Sequence, residues 1–272
     1  MKNQNITAVI YAYNEEKNIR ACIESAKLLD RAIFVVDLQS TDHTSDLAKK
    51  MGVNVFSYPF SNYVEPAREF GIRQAKTDWV LILDADERMT KDLASEVLKR
   101  AIVLSDSEWI QDDKFTYYKI PRKNIFGNFR WLKYGGWWPD YQIRLINKKY
   151  FKSWPKEIHS SPEIDGNFAF LHNPIIHYFH GDLGTMLKKT ITFEDIEADL
   201  LLKAGKQVKT LTFFRKFLGE LYRRLIKNFG FLDGEIGIIE SIYQAFSKTI
   251  TYLFLYEKRF KKKESSSLRP LP

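Results

Sequence analysis

Three carboxylates crowd the end of one apolar run: Val80-Leu81-Ile82-Leu83 stops at Asp84-Ala85-Asp86-Glu87. Acids this close repel and raise one another's pKa unless a cation neutralises them. A divalent metal is the economical cation, and Asp84 and Asp86 are its candidate ligands. Alone, a D-x-D is also what a solvated strand-to-helix turn looks like, so its company decides. Asn14 and Glu15 follow a second apolar run, Ile6 to Tyr11, and Asp37 and Ser40 follow a third, Ala32 to Val36. Acids there suit ribose hydroxyls or a base N–H, and a metal at the D-x-D suits a diphosphate. The set implies a nucleoside diphosphate attached to something else. Asp140 lies in an aromatic, glycine-rich stretch followed by Gln142 and Arg144. Arg144 could neutralise departing phosphate charge or fix the loop, and Asp140 could cap a short helix paired to Arg144. His177 and His180, in His-Tyr-Phe-His, could supply a third metal ligand or a phosphate contact, or simply be hydrogen-bonded in the core.

The elements that must position these residues alternate. Ile6–Tyr11 reads as a strand, and Ile19, Cys22, Ile23 and Ala26 recur at helical spacing. A second strand, Ala32 to Val36, leads to a helix that Thr41 or Asp42 can cap and that runs to about Lys50. Val53–Phe56 makes a third strand, Pro66–Ala75 a helix opened by proline, and Trp79–Leu83 a fourth strand. This alternation predicts a largely parallel sheet with helices on both faces, in which the strand ends share one edge. No glycine-rich phosphate loop follows the first strand, which argues against a dinucleotide or nucleoside-triphosphate cradle. Between Lys114 and Phe179 the helical rhythm stops, and Trp131, Tyr134, Trp137, Trp138 and Tyr141 offer ring faces for sugars or for the core.

The chain has 272 residues, 44% of them hydrophobic, enough for a sizeable core. Its single cysteine, Cys22, excludes an internal disulfide. The absence of a basic-plus-apolar leader predicts a cytoplasmic protein, and without a long uncharged apolar window a spanning helix is not expected. The net charge of +8 is concentrated: Lys203 to Lys263 carries fourteen basic residues against five acidic ones.

Taken together, A-Y-N-E-E, V-V-D-L-Q-S-T-D-H-T and L-D-A-D-E resemble, in order and spacing, the GT-A glycosyltransferases of family 2. Gly135–Leu145 (G-G-W-W-P-D-Y-Q-I-R-L), Glu157–His159 and Phe231–Gly234 (F-L-D-G) are similar to the bacterial lipopolysaccharide core β-1,4-glucosyltransferase-like branch. The resemblance spans roughly residues 5 to 260. It implies a Rossmann-like GT-A sheet and inverting transfer of a hexose, glucose in the first instance, from a UDP-sugar. The implied acceptor is a lipid-linked glycan such as lipopolysaccharide core. Tyr13, Asn14, Glu15, Asp37, Ser40, Arg68, Asp84 and Ala85 would contact the donor, and Asp86, Asp84 and His177 would hold Mg2+ or Mn2+. Asp140 would be the base, with Arg144 beside it. Two positions depart from the family: Glu69 follows Arg68 where asparagine is usual, and Ser160 replaces an acid after His159. Polyprenyl-phosphate hexosyl transfer, and a non-catalytic nucleotide-sugar-binding or membrane scaffold, are the alternatives.

The expected organisation is a catalytic domain over 1–182, with a nucleotide-sugar half at 1–104 and an acceptor half at 105–182. A helical region at 183–263 and a disordered tail at 264–272 follow. In the helical region Phe214, Phe217, Leu218, Leu221, Tyr222, Leu225 and Phe229 repeat at helical spacing opposite Arg215, Lys216, Arg223, Arg224 and Lys227. A second such pattern, Ile239 to Phe254, runs into the basic cluster Lys258–Lys263. Basic amphipathic helices of this kind predict a peripheral location on the cytoplasmic face of the inner membrane, or packing on a partner such as a second copy. Nucleic acid is not expected, because the charges alternate with an apolar stripe instead of lining an aromatic groove.

Overall fold

The computed structural model describes residues 6–102, 115–127, 129–179 and 183–267. The chain divides into two units, residues 1–125 with 139–179, and residues 126–138 with 180–272. The expected internal boundary at 104/105 and residues 180–182, His180 among them, lie outside the described residues.

The first unit is the α/β sheet that the alternation predicts. Strands β1 (Ile6–Ala12), β2 (Ala32–Asp37), β3 (Asn54–Ser57) and β4 (Trp79–Asp84) are mutually parallel, β1 lying between β2 and β4. Helices α1 (Ile19–Ala26), α2 (Thr44–Lys50) and α3 (Glu65–Gln74) link them. After the two-residue β5 (Glu87–Arg88) and α4 (Lys91–Ile102) come β6 (Phe115–Phe126), the short β7 (Arg130–Trp131), β8 (Asp140–Asn147), the short pair β9 (Phe151–Ser153) and β10 (Glu163–Ile164), β11 (Asn167–Phe170) and β12 (Ile175–Phe179). The strand order is β3-β2-β1-β4-β8-β6-β12-β5, with β11 on β6. β8 runs antiparallel to both its neighbours, β4 and β6. The sheet is thus parallel in its first half and mixed beyond β4.

Both faces of the sheet are buried, which is why β1 and β4 read as continuous apolar runs. On β1, Ile6, Ala8 and Ile10 pack with Ile19, Cys22 and Ile23 of α1 and with Leu93 and Val97 of α4. Val9 and Tyr11 point the other way, to Ala67 and Ile72 of α3. On β4, Trp79, Leu81 and Leu83 share the α1 face, and Val80 and Ile82 share the α3 face. Side chains alternate along a strand, so Asp84 inherits the α3 face. Gly71 lets α3 come close there: a Cβ at this position would overlap the Tyr11 hydroxyl and approach Val9 Cγ1 to 2.9 Å.

In the second unit, α5 (Leu183–Lys203), α6 (Thr210–Leu221) and α7 (Gly234–Ser267) pack together, with Phe213, Ala198, Tyr252 and Leu255 at the centre. The helix of α6 continues as a π-helical turn over Tyr222–Lys227. Lys258 bridges α7 to α5 through Asp195 at 2.8 Å and Asp199 at 2.6 Å. The F-L-D-G motif is structural in this unit: Asp233 Oδ2 accepts the Lys133 and Tyr134 backbone N–H groups at 2.9 and 2.8 Å. The first four residues of the expected tail continue α7, and 268–272 lie outside the described residues. Among the described residues no helix is long and apolar enough to cross a membrane.

Candidate active site

The parallel strands deliver their C-terminal residues to one edge. Register pairs Ala12 with Asp37 and Tyr11 with Asp84. The two carboxylates therefore flank β1, about 10 Å apart by strand spacing. Asp37 is buried; its Oδ2 accepts from the Ser40 N–H at 3.2 Å, and its Oδ1 has no hydrogen-bond partner among the described residues. A buried carboxylate oxygen left open is an acceptor awaiting a donor, which fits a nucleoside hydroxyl or ring N–H. Tyr13 lies on the same edge and stacks on Phe60 with ring centroids 3.6 Å apart.

Asn14, Glu15 and Ser40 come together differently from expectation. They fasten the loop after β1 to the loop after β2. The Asn14 N–H donates to Ser40 Oγ at 2.9 Å, Thr41 N–H to Asn14 Oδ1 at 2.8 Å, and Glu15 N–H to Thr44 Oγ1 at 2.8 Å. Asn18 also donates to Glu15 Oε2 at 2.7 Å. Asn14 and Gln39 hold left-handed backbone, φ 52° and 58°, a strain that persists only where the surroundings over-determine it. These polar groups are engaged in shaping the edge.

Asp84 is the largest departure from a plain D-x-D reading. Arg68 Nη2 lies 2.6 Å from its Oδ1, and Arg144 Nη2 lies 2.6 Å from its Oδ2. Burial alone would raise its pKa, but Arg144 and Arg68 overcome burial and hold the carboxyl far below its usual range. The cations that neutralise Asp84 are thus guanidinium groups. Arg68 is itself fixed: its carbonyl accepts the Tyr11 hydroxyl at 2.7 Å, and its guanidinium sits 4.7 Å over the Tyr11 ring. Ala85 contributes backbone alone, its N–H donating to the Tyr11 carbonyl at 3.1 Å.

Arg144 reaches Asp84 because of a β-bulge. Tyr118 pairs with Leu145 but Lys119 pairs with Ile143, leaving Arg144 as the extra residue of β8. Bulges re-aim side chains in this way, often beside active sites. Arg144 also bonds Glu87 Oε1 at 2.6 Å. Glu87, which has no exposed surface, accepts the Asp84 N–H at 2.9 Å and faces Arg122 at 3.7 Å. Arg122 in turn holds Asp140 at 2.7 Å. A continuous ionic chain, Arg68–Asp84–Arg144–Glu87–Arg122–Asp140, therefore links the strand-end edge to Asp140. Sequence reasoning singled out four of its members and missed Glu87 and Arg122. Glu87 was visible as the last acid of the D-A-D-E run; Arg122 becomes adjacent only through the antiparallel register that sets it opposite Asp140.

Asp140 opens β8 and caps no helix. It accepts from Asn124 Nδ2 at 3.1 Å and Gln142 Nε2 at 2.7 Å in addition to Arg122. Burial pushes its pKa up, but Arg122 and these amides outweigh burial and lower it. The group is an ionised acceptor in a fixed orientation. Asn124 also bonds His177 Nδ1 through its Oδ1 at 2.6 Å. The β12–β5 pairing sets His177 opposite Glu87, and His177 Nε2 stands 3.5 Å from Asp86 Oδ2.

That pair bears on a metal. Among the described residues no three His, Cys, Asp or Glu side chains converge as a ready-made cage. Asp84 is committed to two arginines. Asp86 and His177 are close enough to share one ion, and magnesium-type sites use one or two protein ligands with substrate phosphates and waters completing the shell. The donor set fits a divalent ion at Asp86–His177.

The profile of glycosyl transferase family 2 matches residues 7–162. The chain belongs to this family and is a glycosyltransferase. An uncharacterised glycosyltransferase of Rickettsia conorii is 27% identical over 96% of this chain and 93% of its own length. A lipopolysaccharide core biosynthesis glycosyltransferase of Rhizobium meliloti, LpsC, is 23% identical over 93% and 92% of the two chains. Among solved structures, S. aureus TarS in complex with UDP-GlcNAc superposes with a TM-score of 0.47 at 13% identity, covering 95% of this chain and 92% of that one.

Proposed function

We propose that the protein is an inverting hexosyltransferase that moves a sugar from a UDP-sugar to a hydroxyl of a lipid-linked glycan, of the lipopolysaccharide-core kind, at the cytoplasmic face of the membrane. The observation that carries the reading is Asp140: an ionised carboxylate, oriented by Arg122, Asn124 and Gln142, joined through charged side chains to the strand-end acids. The kinship with a lipopolysaccharide core enzyme supports the acceptor class.

In this reading the nucleoside lies across the end of β1, its hydroxyls or ring N–H meeting Asp37 Oδ1 and its base near Tyr13. The diphosphate lies toward β4. Arg68 Nη1 and Arg144 Nε are buried and without an acceptor among the described residues, so positive charge faces the leaving group. Asp86 and His177 would hold Mg2+ or Mn2+, which supplies further neutralisation of the departing diphosphate. Asp140 accepts the proton of the acceptor hydroxyl as its oxygen attacks the anomeric carbon from the side opposite the diphosphate, so the anomeric configuration inverts.

The deciding experiment is Asp140→Asn, which keeps the shape and removes the base. Transfer should fall by about 100- to 10,000-fold, with UDP affinity within a few-fold of wild type and an inverted anomeric proton coupling in the wild-type product. Wild-type turnover by this variant would remove Asp140 from the role and favour a phosphate acceptor, which needs no base.

A further inference from the structure

The outer face of α6 and the turn that follows it, like the face of α7 that carries Ile239, Ile242 and Phe246, expose large apolar side chains. A surface helix normally has one apolar stripe, spent on the core. α6 spends Phe213 on the core against α7, yet carries a second apolar stripe that no described residue covers. Leu211, Phe214, Leu218, Tyr222, Ile226 and Phe229 are 49–75% exposed. Their spacing along one helical face makes the stripe continuous. At its end Phe229 adopts a left-handed backbone, φ 55°, uncommon and costly for an aromatic residue. Phe229 meets Phe231 with ring centroids 6.3 Å apart, and Phe231 and Leu232 are exposed as well. The turn therefore presents apolar side chains to solvent at a conformational cost.

The edges of the stripe select its partner. Arg215, Arg223 and Lys227 are exposed along the same length of chain. From Thr210 to Leu232 five basic residues stand against one acid, Glu220, and that acid is occupied by Arg223 and Arg224. A face between two copies of this chain would bring these cations against one another. An apolar stripe bordered by lysine and arginine matches instead the boundary between acyl chains and anionic headgroups.

We infer that α6, its π-helical extension and the Phe229–Leu232 turn form a monotopic docking surface for anionic lipid, the helix lying in the membrane plane with the aromatic turn inserted. This placement rests on the second unit alone and does not depend on the transfer chemistry.

The test is flotation of the full-length protein with phosphatidylglycerol-containing vesicles and with phosphatidylcholine vesicles, at low and high salt. Binding is expected to the first and not the second, and to weaken with salt. Phe214→Ser should weaken binding about tenfold or more. Arg215→Gln and Lys227→Gln should each weaken it about fivefold, with far-UV dichroism and melting unchanged because all three side chains face solvent. No binding by wild type overturns the inference, as does binding indifferent to all three variants. A dimer in light scattering that Phe214→Ser converts to monomer assigns the face to a second copy and overturns it equally.

Discussion

Replacing Arg144 by methionine tests the ionic chain most directly. The guanidinium is buried and bonded at 2.6 Å to both Asp84 and Glu87, so its loss leaves the fully buried Glu87 facing a partly exposed Asp84, two carboxylates with one cation fewer. Breaking one partner out of a buried pair costs roughly 3–5 kcal/mol. The lower end applies, because Asp84 keeps Arg68 at 2.6 Å and Glu87 keeps Arg122 at 3.7 Å. About 3 kcal/mol corresponds to a fall in melting temperature of roughly 6–12 °C for a domain of this size. The informative measurement is the double variant in urea unfolding. Glu87→Gln removes the carboxylate with the weaker remaining cation, so Arg144→Met/Glu87→Gln should be more stable than Arg144→Met alone by at least about 1 kcal/mol. If the double variant is no more stable than the single one, Glu87 is not the stranded charge, and the reasoning about the chain fails.

Other expectations follow from the same geometry. Asp140 has a lowered pKa, and in the proposed mechanism it acts as a carboxylate, so kcat/KM should hold as pH falls through the usual aspartate range near 4 and decline only below it. Arg122→Gln lets burial prevail and should move that acid limb upward; a limb that stays in place in stopped-time assays would refute the pairing. Asp84 also has a lowered pKa, so the stability it contributes is present above its unfolded value and is lost as pH falls through the folded one, which acid-unfolding curves of Asp84→Asn should show by their absence of that loss. Gly71→Ala forces the Tyr11 hydroxyl aside and should cost about 1–3 kcal/mol in urea unfolding, whereas an unchanged midpoint would mean that α3 can move outward. Chelation should reduce transfer, and Asp86→Asn should raise the Mn2+ concentration needed for half-maximal rate; an unchanged requirement would take Asp86 out of the metal shell.

Several of these residues were legible from local pattern alone. Strands β1, β2 and β4 are apolar on both faces, and α1 and α3 carry their core positions at helical spacing, so the first half of the sheet and its acidic edge follow from nearest-neighbour periodicity. Asp84 and Asp86 stood out because acids after apolar runs are conspicuous, and Asp140 because its segment resembles the family's. Which side chains pair with which did not. Arg122 and Asn124 reach Asp140 by pairing across strands, and Arg144 reaches Asp84 through a bulge, which no periodicity announces. The D-x-D therefore looked like one metal-binding unit, whereas long-range contacts separate Asp84, neutralised by arginines, from Asp86 beside His177. In the C-terminal region the apolar spacing of α6 was plain, but spacing cannot say which of two apolar faces is covered.

The position of β8 between β4 and β6 sets a timetable for synthesis. Strands β1 to β4 are contiguous in the chain and can assemble as they leave the ribosome. Until β8 arrives, β4 is an open sheet edge made of Trp79-Val80-Leu81-Ile82-Leu83, with unpaired backbone groups and no charge to discourage association. The residue that finally neutralises Asp84 is 60 positions further on. Closing the active site and sealing that edge are therefore one event. A chain interrupted before Asp140 carries the strand-end acids Asp37 and Asp84, without Arg144, beside an adhesive strand, so premature termination should yield aggregates and not a soluble half-domain.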